Sequence, residues 1–449
     1  MSELIDNRAH RVRTLKEIIR HLHEGRAPAE VKASLTALVR QCDASEIAAM
    51  EQELMAEGIP VAQIMNMCDL HAAVVRDILV ERPSSLPAPG HPADTFSREN
   101  EALTAQVATL RAALAALAKG APDGHPEPAA VDAARRLYGG LMDVDKHYQR
   151  KEHLLFSCLE RHGITGPSKV MWGKDDEARG LLKALGAAMS AAGATSAEWQ
   201  RIAGAMAQPA LAAVEEMVFK EERILLPMAL QNLSEGEWAE IWTQSPQFGF
   251  CLVEPGKGYQ PPQASNDVPA AARAEAARAG VTFAPGKGAT LLRMADLSPR
   301  PAEPVESVGA GTIVLPTGSL SLEHLKTMFA VMPVDMTLVG ADDRVKFFSE
   351  GQNRVFARPL TIIGRLVQHC HPPSSVDVVE RILGDFRSGR QNVAEFWIEM
   401  HGRFVHIRYF ALRDAQQAYL GCLEVTQDLT RERKLEGERR LLEYEDAGQ

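Results

Sequence analysis

The chain has 449 residues, enough for about three domains. Its 45% hydrophobic and 24% charged content is that of ordinary globular proteins. The net charge of −10, without any basic cluster, argues against general nucleic-acid binding.

Six cysteines, at 42, 68, 158, 251, 370 and 422, form no CxxC pair and no zinc-type spacing; such scattered thiols point to a reduced, cytoplasmic protein. The stretch from Met1 to Arg13 is polar and charged, unlike a signal peptide. No apolar run reaches the ~18–20 residues of a membrane span, so no membrane partner is expected.

Residues 1–82 read as a small all-helical domain. Leu15, Ile18, Ile19 and Leu22 recur at helical spacing, as do Val31, Leu35, Leu38 and Val39. Two more apolar stripes follow, Ile47 to Met55 and Ile64 to Leu79, parted by Gly58 and Pro60. Asp69 and His71, beside Cys68, read as surface or satisfied residues rather than a site. Four prolines in residues 83–92 forbid a continuing helix.

Residues 83–253 then give four helical blocks, about 94–118, 128–162, 174–192 and 197–231. Pro122, the stretch Gly163 to Pro167, and Gly193 separate them. Long helices with short connections describe an antiparallel four-helix bundle. Two of the blocks carry similar segments, His147-Tyr-Gln-Arg-Lys-Glu-His-Leu-Leu-Phe-Ser and Met217-Val-Phe-Lys-Glu-Glu-Arg-Ile-Leu-Leu-Pro. Positions four apart share one helix face, so each segment can aim two side chains into the bundle interior. Each copy lacks a different half of a metal-ligating pair. His147 is followed at +4 by Lys151, and Glu221 is preceded at that distance by Met217.

Residues 254–319 are rich in Pro, Ala and Gly and read as a tether. Residues 320–430 change to an α+β pattern. Strands are expected at Val334 to Val339, Arg344 to Phe348, Ala394 to Met400, Phe404 to Arg413 and Tyr419 to Thr426, with a helix carrying Val376, Val379, Ile382, Leu383 and Phe386. His401-Gly402 is expected to turn between two of these strands. Residues 431–449 read as a charged terminal helix or tail.

These residues carry three resemblances. The last region resembles a PAS domain, on its first hairpin, Ile363-Gly-Arg365, His371-Pro372 and the ending Glu424-Val-Thr-Gln-Asp-Leu-Thr430. The middle resembles the hemerythrin-like cation-binding bundles. The first region resembles the uncharacterised domain that often precedes such a bundle in bacterial and archaeal proteins. The fold class implied is multidomain: two all-α domains and one α+β domain.

In hemerythrin-like bundles, five histidines and two carboxylates typically hold two irons. Carried over singly, the resemblance places Asn100 at the first-helix position, His147 and Lys151 on the second, Asp175 on the third, and Met217 and Glu221 on the fourth. Glu152 and Glu222 are spare acids; His91, His153 and His162 are the nearby substitutes. Lysine brings a fixed positive charge where iron would need imidazole and carboxylate donors. Lys151, Asn100 and Met217 are therefore expected to be structural, with Lys151 pairing with Glu221 and Asp175. The alternative readings keep non-heme iron: one metal on His147 and Glu221 assisted by Glu152 or His91, with Asp175 nearby, or a diiron site.

In the last region Cys370, His371, His406 and Arg408 are the candidate ligand-binding residues. His369 and His371 flank Cys370, and Pro372 follows at once, so a structural turn is expected ahead of heme or metal ligation or a redox role for Cys370. His406 and Arg408 share a strand face with Phe404 and Phe410, compatible with an acidic or planar ligand or with a solvated face. Gly286-Lys-Gly288 lacks the context of a phosphate loop, and no catalytic constellation stands out. The expected function is a non-catalytic sensor with a small ligand or protein partner. An iron protein handling oxygen, nitric oxide or iron, and an assembly adaptor, are the other readings. A homodimer is left open.

Overall fold

A computed structural model describes residues 87–191, 195–262, 312–315, 318–351 and 354–438, with residues 53, 57 and 58 besides. The expected N-terminal helical domain, with Cys68, Asp69 and His71, and most of the expected tether lie outside the described residues. The chain forms two compact units. The first holds the helical bundle with the segments Pro359–Arg365 and His369–Asp377; the second holds the sheet.

In the bundle, α1 spans Pro92–Leu117 and α2 spans Pro128–Leu141. Helix α3 (144–161) is interrupted by a π turn at Lys151–Leu155. Then come α4 (Gly166–Ala191), α5 (Ser196–Asn232) and a short α6 (Glu235–Gln244). The His91 Nδ1 atom caps α1 by accepting from the Ala93 amide at 3.1 Å, and Pro92 fits the first turn, where its missing N–H costs nothing. The buried residues Leu103, Val107, Leu110, Leu114 and Leu117 of α1 recur at spacings of three and four. They pack with Ala178, Leu182, Leu185 and Met189 of α4 and Ile202, Leu211 and Val214 of α5 into one apolar core. Helix α4 starts eight residues before the expected position, because Gly166 and Pro167 open its first turn instead of breaking it.

Helix α5 contains two π turns, Ile202–Ala207 and Glu221–Leu225, each followed two residues later by a proline, Pro209 and Pro227. A proline ring clashes with the carbonyl four residues back and offers no N–H, and a widened turn relieves both problems. By length and composition α5 is long and apolar enough to cross a membrane, yet Leu211, Val214 and Met217 face the bundle core.

The bundle unit runs past residue 253, where the tether was expected to begin. The Tyr259 amide donates to the Pro89 carbonyl at 2.9 Å, and Arg98 donates to the Glu254 carbonyl at 3.0 Å.

The described part of the second unit opens with a hairpin of β1 (Thr312–Leu315), inside the span read as tether, and β2 (Gly318–Ser321), which crosses its end at 319. Helix α7 (Leu322–Val331) follows, capped by Ser321. Strands β3 (Asp335–Gly340), β4 (Val345–Phe348), β5 (Val393–Met400), β6 (Arg403–Arg413) and β7 (Tyr419–Asp428) form an antiparallel sheet in the order β4-β3-β7-β6-β5. Helix α8 (Pro373–Ser388) buries Leu383 and Phe386 against Val339, Tyr409, Ala411 and Cys422 on one sheet face. His401 and Gly402, at φ 50° and 74°, make the two-residue β5–β6 turn, whose backbone twist suits a hairpin. The helix expected at the C-terminus is absent over 431–438, which holds a short turn at Glu432–Lys434 and then an extended Leu435; the rest lies outside the described residues.

A buried cluster of cations and carboxylates in the bundle

The bundle interior is apolar apart from one charged cluster. His147, Arg150, Lys151 and Glu152 of α3, Glu99 of α1, Asp175 of α4 and Glu221 of α5 are all buried. Burying a lone charge costs several kcal/mol, so each must find an opposite partner. His147 lies between two carboxylates, with Nδ1 2.7 Å from Glu99 and Nε2 2.6 Å from Glu221. Lys151 Nζ lies 2.8 Å from Asp175 and also hydrogen-bonds Glu221. Arg150 donates to Glu99, whose other oxygen accepts from the Cys251 amide at 2.7 Å. Glu152 turns to Arg179 of α4, at 2.7 and 3.0 Å. Four carboxylates (Glu99, Glu152, Asp175, Glu221) thus meet four cations (His147, Arg150, Lys151, Arg179).

Aromatic rings wall the cluster. The Arg150 guanidinium lies over Phe96 and Phe250, at 4.8 and 4.9 Å, and Lys151 Nζ lies 4.3 Å from the Tyr148 ring centre.

The charges set one another. Burial alone would favour neutral His147, but Glu221 and Glu99 outweigh it and raise the imidazole to about 9. Burial would raise Glu221; His147 and Lys151 outweigh it and hold it at about 2. Burial opposes the Lys151 charge too, and Asp175 and Glu221 overcome it. Burial lifts Asp175 well above the usual carboxylate range, with Lys151 opposing and Glu152 adding.

Of the three π turns among the described residues, two begin at the cluster, on Lys151 and on Glu221. A π turn adds a residue to the helix and upsets its carbonyl pairing, and such turns gather at functional sites. Within the same unit, Thr361 donates to the His153 carbonyl at 2.8 Å and Arg365 to the Glu152 carbonyl at 3.3 Å; Arg365 also grips Glu160 at 2.7 and 2.8 Å.

The sequence spacing brings His147, Lys151, Asp175 and Glu221 together. Asn100 lies one position away from the centre's own acid. Its amide holds Glu222 at 2.9 Å, while Glu99 takes the place against His147. Met217 is buried in the apolar core one turn before Glu221. The substitute histidines sit elsewhere. His91 caps α1 against Trp238 and Tyr259, His153 stacks on Phe248, and His162 pairs with Glu237. His91 spends its Nδ1 on the helix cap, accepting from the Ala93 amide. Glu99, Arg150 and Arg179 were not singled out from the sequence. The available signal was spacing for two of them: Arg150 lies three positions after His147 and Arg179 four after Asp175, on shared helix faces, whereas Glu99 is only the neighbour of Asn100.

Residues 15–81 match a family of unknown function, DUF438, residues 91–229 match the hemerythrin HHE cation binding domain, and residues 325–430 match a PAS domain. The chain carries these three domains in this order. Among solved structures, the chain is similar to a C-terminal domain from Streptococcus mutans (28% identity, TM-score 0.27, covering 28% of this chain and 97% of that one). It is also similar to the PAS domain of a protein from Colwellia psychrerythraea (11% identity, TM-score 0.21, covering 24% and 98%). No curated protein matches the chain.

A hemerythrin domain raises the question of a resident cation, and the donors can be tested against it. Among the described residues, no three His, Cys, Asp or Glu side chains converge as a metal's ligands would. The centre offers one imidazole, and both its nitrogens are hydrogen-bonded to carboxylates. An ammonium already sits between Asp175 and Glu221, where it would repel a divalent ion a few ångströms away. The residues do not fit a diiron centre.

In the PAS domain, the strand register puts His406 opposite Trp397 and Gln427, and Arg408 opposite Glu395 and Val425, on the sheet face turned away from α8. His406 Nε2 lies 2.6 Å from Glu395, and Arg408 donates to Gln427 at 3.0 Å. Cys370 ends a short turn at Val367–Cys370, and His371 precedes α8; both are half-buried. The face toward α8 holds a pair that the sequence did not single out: Arg358 donates to Glu424 at 2.6 Å and to Thr337 at 3.0 Å.

Proposed function

We propose that this protein is a non-catalytic regulatory sensor of the prokaryotic cytoplasm, in which the PAS domain receives a small ligand or a partner signal and the hemerythrin domain transmits or scaffolds it. The observation that carries the reading is the joining of a PAS domain and a hemerythrin domain in one chain. His406 and Arg408, with Glu395 and Gln427 around them, give one sheet face the charge to meet an acidic or planar group. Cys370 and His371 are the second proposed contact region. The signal would act by shifting the populations of domain arrangements, through differential affinity of the ligand for them.

The alternative, a non-heme iron protein handling oxygen, nitric oxide or iron, draws support from the cation-binding family of the bundle. The donor set at the centre weighs against it. Native mass spectrometry of the full chain purified from its own cells tests the sensor reading. A small molecule should travel with the chain, and stripping it should change the solution scattering profile. A chain that carries nothing, and whose scattering ignores every acidic or planar compound offered, refutes the reading.

A further inference from the structure

We propose that the hemerythrin domain has exchanged its resident cation for side chains: the Lys151 ammonium, flanked by His147 and Arg150, takes the place of a metal and closes the centre to one. The inference concerns the bundle alone and stands whatever the PAS domain receives.

Three observations carry it. The matched residues 91–229 contain the whole four-cation, four-carboxylate cluster, so the substitution falls inside the domain's cation-binding span. Lys151 Nζ bonds two carboxylates from two other helices, α4 and α5, with its side chain wholly buried. That is how a metal ion would tie these helices together, performed by an ammonium with three donors. Finally, seven of the eight oxygens of the four acids are committed: Asp175 gives Oδ1 to Lys151 and has only its buried Oδ2 without a hydrogen-bond partner. Glu99 has Arg150, His147 and the Cys251 amide; Glu221 has His147 and Lys151; Glu152 has Arg179. A metal could enter only by breaking several buried ion pairs and expelling a cation into a space walled by Tyr148 and Phe96.

The test uses the full chain, made in iron-supplemented cells, with metal content read by elemental mass spectrometry and Tm read by calorimetry. The wild type should carry iron far below stoichiometry, and its Tm should ignore added Fe(II), Mn(II) or Zn(II), since a ligand raises Tm only by binding the folded state. Lys151→Met keeps the volume and removes the charge, leaving Asp175 and Glu221 facing each other. Its Tm should fall by roughly 10 °C, and the same divalent ions should restore part of that loss. Stoichiometric iron in the wild type, or a wild-type Tm raised by metal as much as that of Lys151→Met, overturns the proposal. If Lys151→Met does not fold, the wild-type metal content and metal titration decide alone. Neither arm touches the PAS ligand, so loss of the sensor reading would leave this result standing.

Discussion

His147 shows what the cluster does at the scale of one residue. Its imidazole has an ordinary value of 6.5 and stands near 9 in the fold, because two carboxylates hold the proton on. A raised value stabilises the fold fully below about 6.5 and loses that effect as pH climbs through about 9. We expect wild-type Tm to fall across this window, with His147→Gln flattening that slope and costing stability of order 1–3 kcal/mol at neutral pH. Calorimetry at several pH values checks it; equal slopes in both proteins would sink the assignment. The acid side has the opposite sign. Glu221, held at about 2, stabilises above its ordinary 4.5 and loses that effect only as pH falls toward 2. The i, i+4 spacing made His147, Lys151 and Glu221 legible in the sequence, because helical geometry fixes which side chains share a face. Glu99 was not legible. It and Asn100 are neighbours about 100° apart around the helix, both are buried, and periodicity alone does not say which meets the histidine.

At the scale of elements, most helices of the bundle and strands of the sheet lie within a few residues of their expected positions, since apolar periods of 3.6 and 2 are strong signals in long segments. The π turns did not. A single extra residue in a turn shifts the helical phase too little to show in a short window, although Pro209 and Pro227 hint at two of them. Strand β7 offers a sharp test of backbone fit. Gly421 has φ 145°, and a Cβ there would sit 2.1 Å from the Val339 carbonyl oxygen on the neighbouring strand. Gly384, on α8, has open space at that position. Gly421→Ala should destabilise the PAS domain by at least ~2 kcal/mol, through strain and loss of the β3–β7 approach. Gly384→Ala should be neutral or stabilise it by up to ~1 kcal/mol. Urea unfolding of the two variants reads both effects, and a harmless Gly421→Ala would refute the close approach.

For the whole molecule, the three-domain order was legible because each part carries its own pattern: helical stripes, a repeated ligand-like segment, then alternating strands. The limits of the parts were less so. The tract 254–262 has the Pro and Gly content of a tether yet is tied to the bundle through Tyr259 and Arg98, contacts that depend on tertiary structure rather than local composition. Lys151 also bears on how this molecule opens. Most lysines on a protein react readily with acylating reagents, but the Lys151 amine is wholly sealed and held protonated by two acids. In a timed labelling experiment it should remain silent while surface amines saturate. Its slow modification would then clock the rate at which the bundle comes apart, giving a built-in chemical stopwatch for that event.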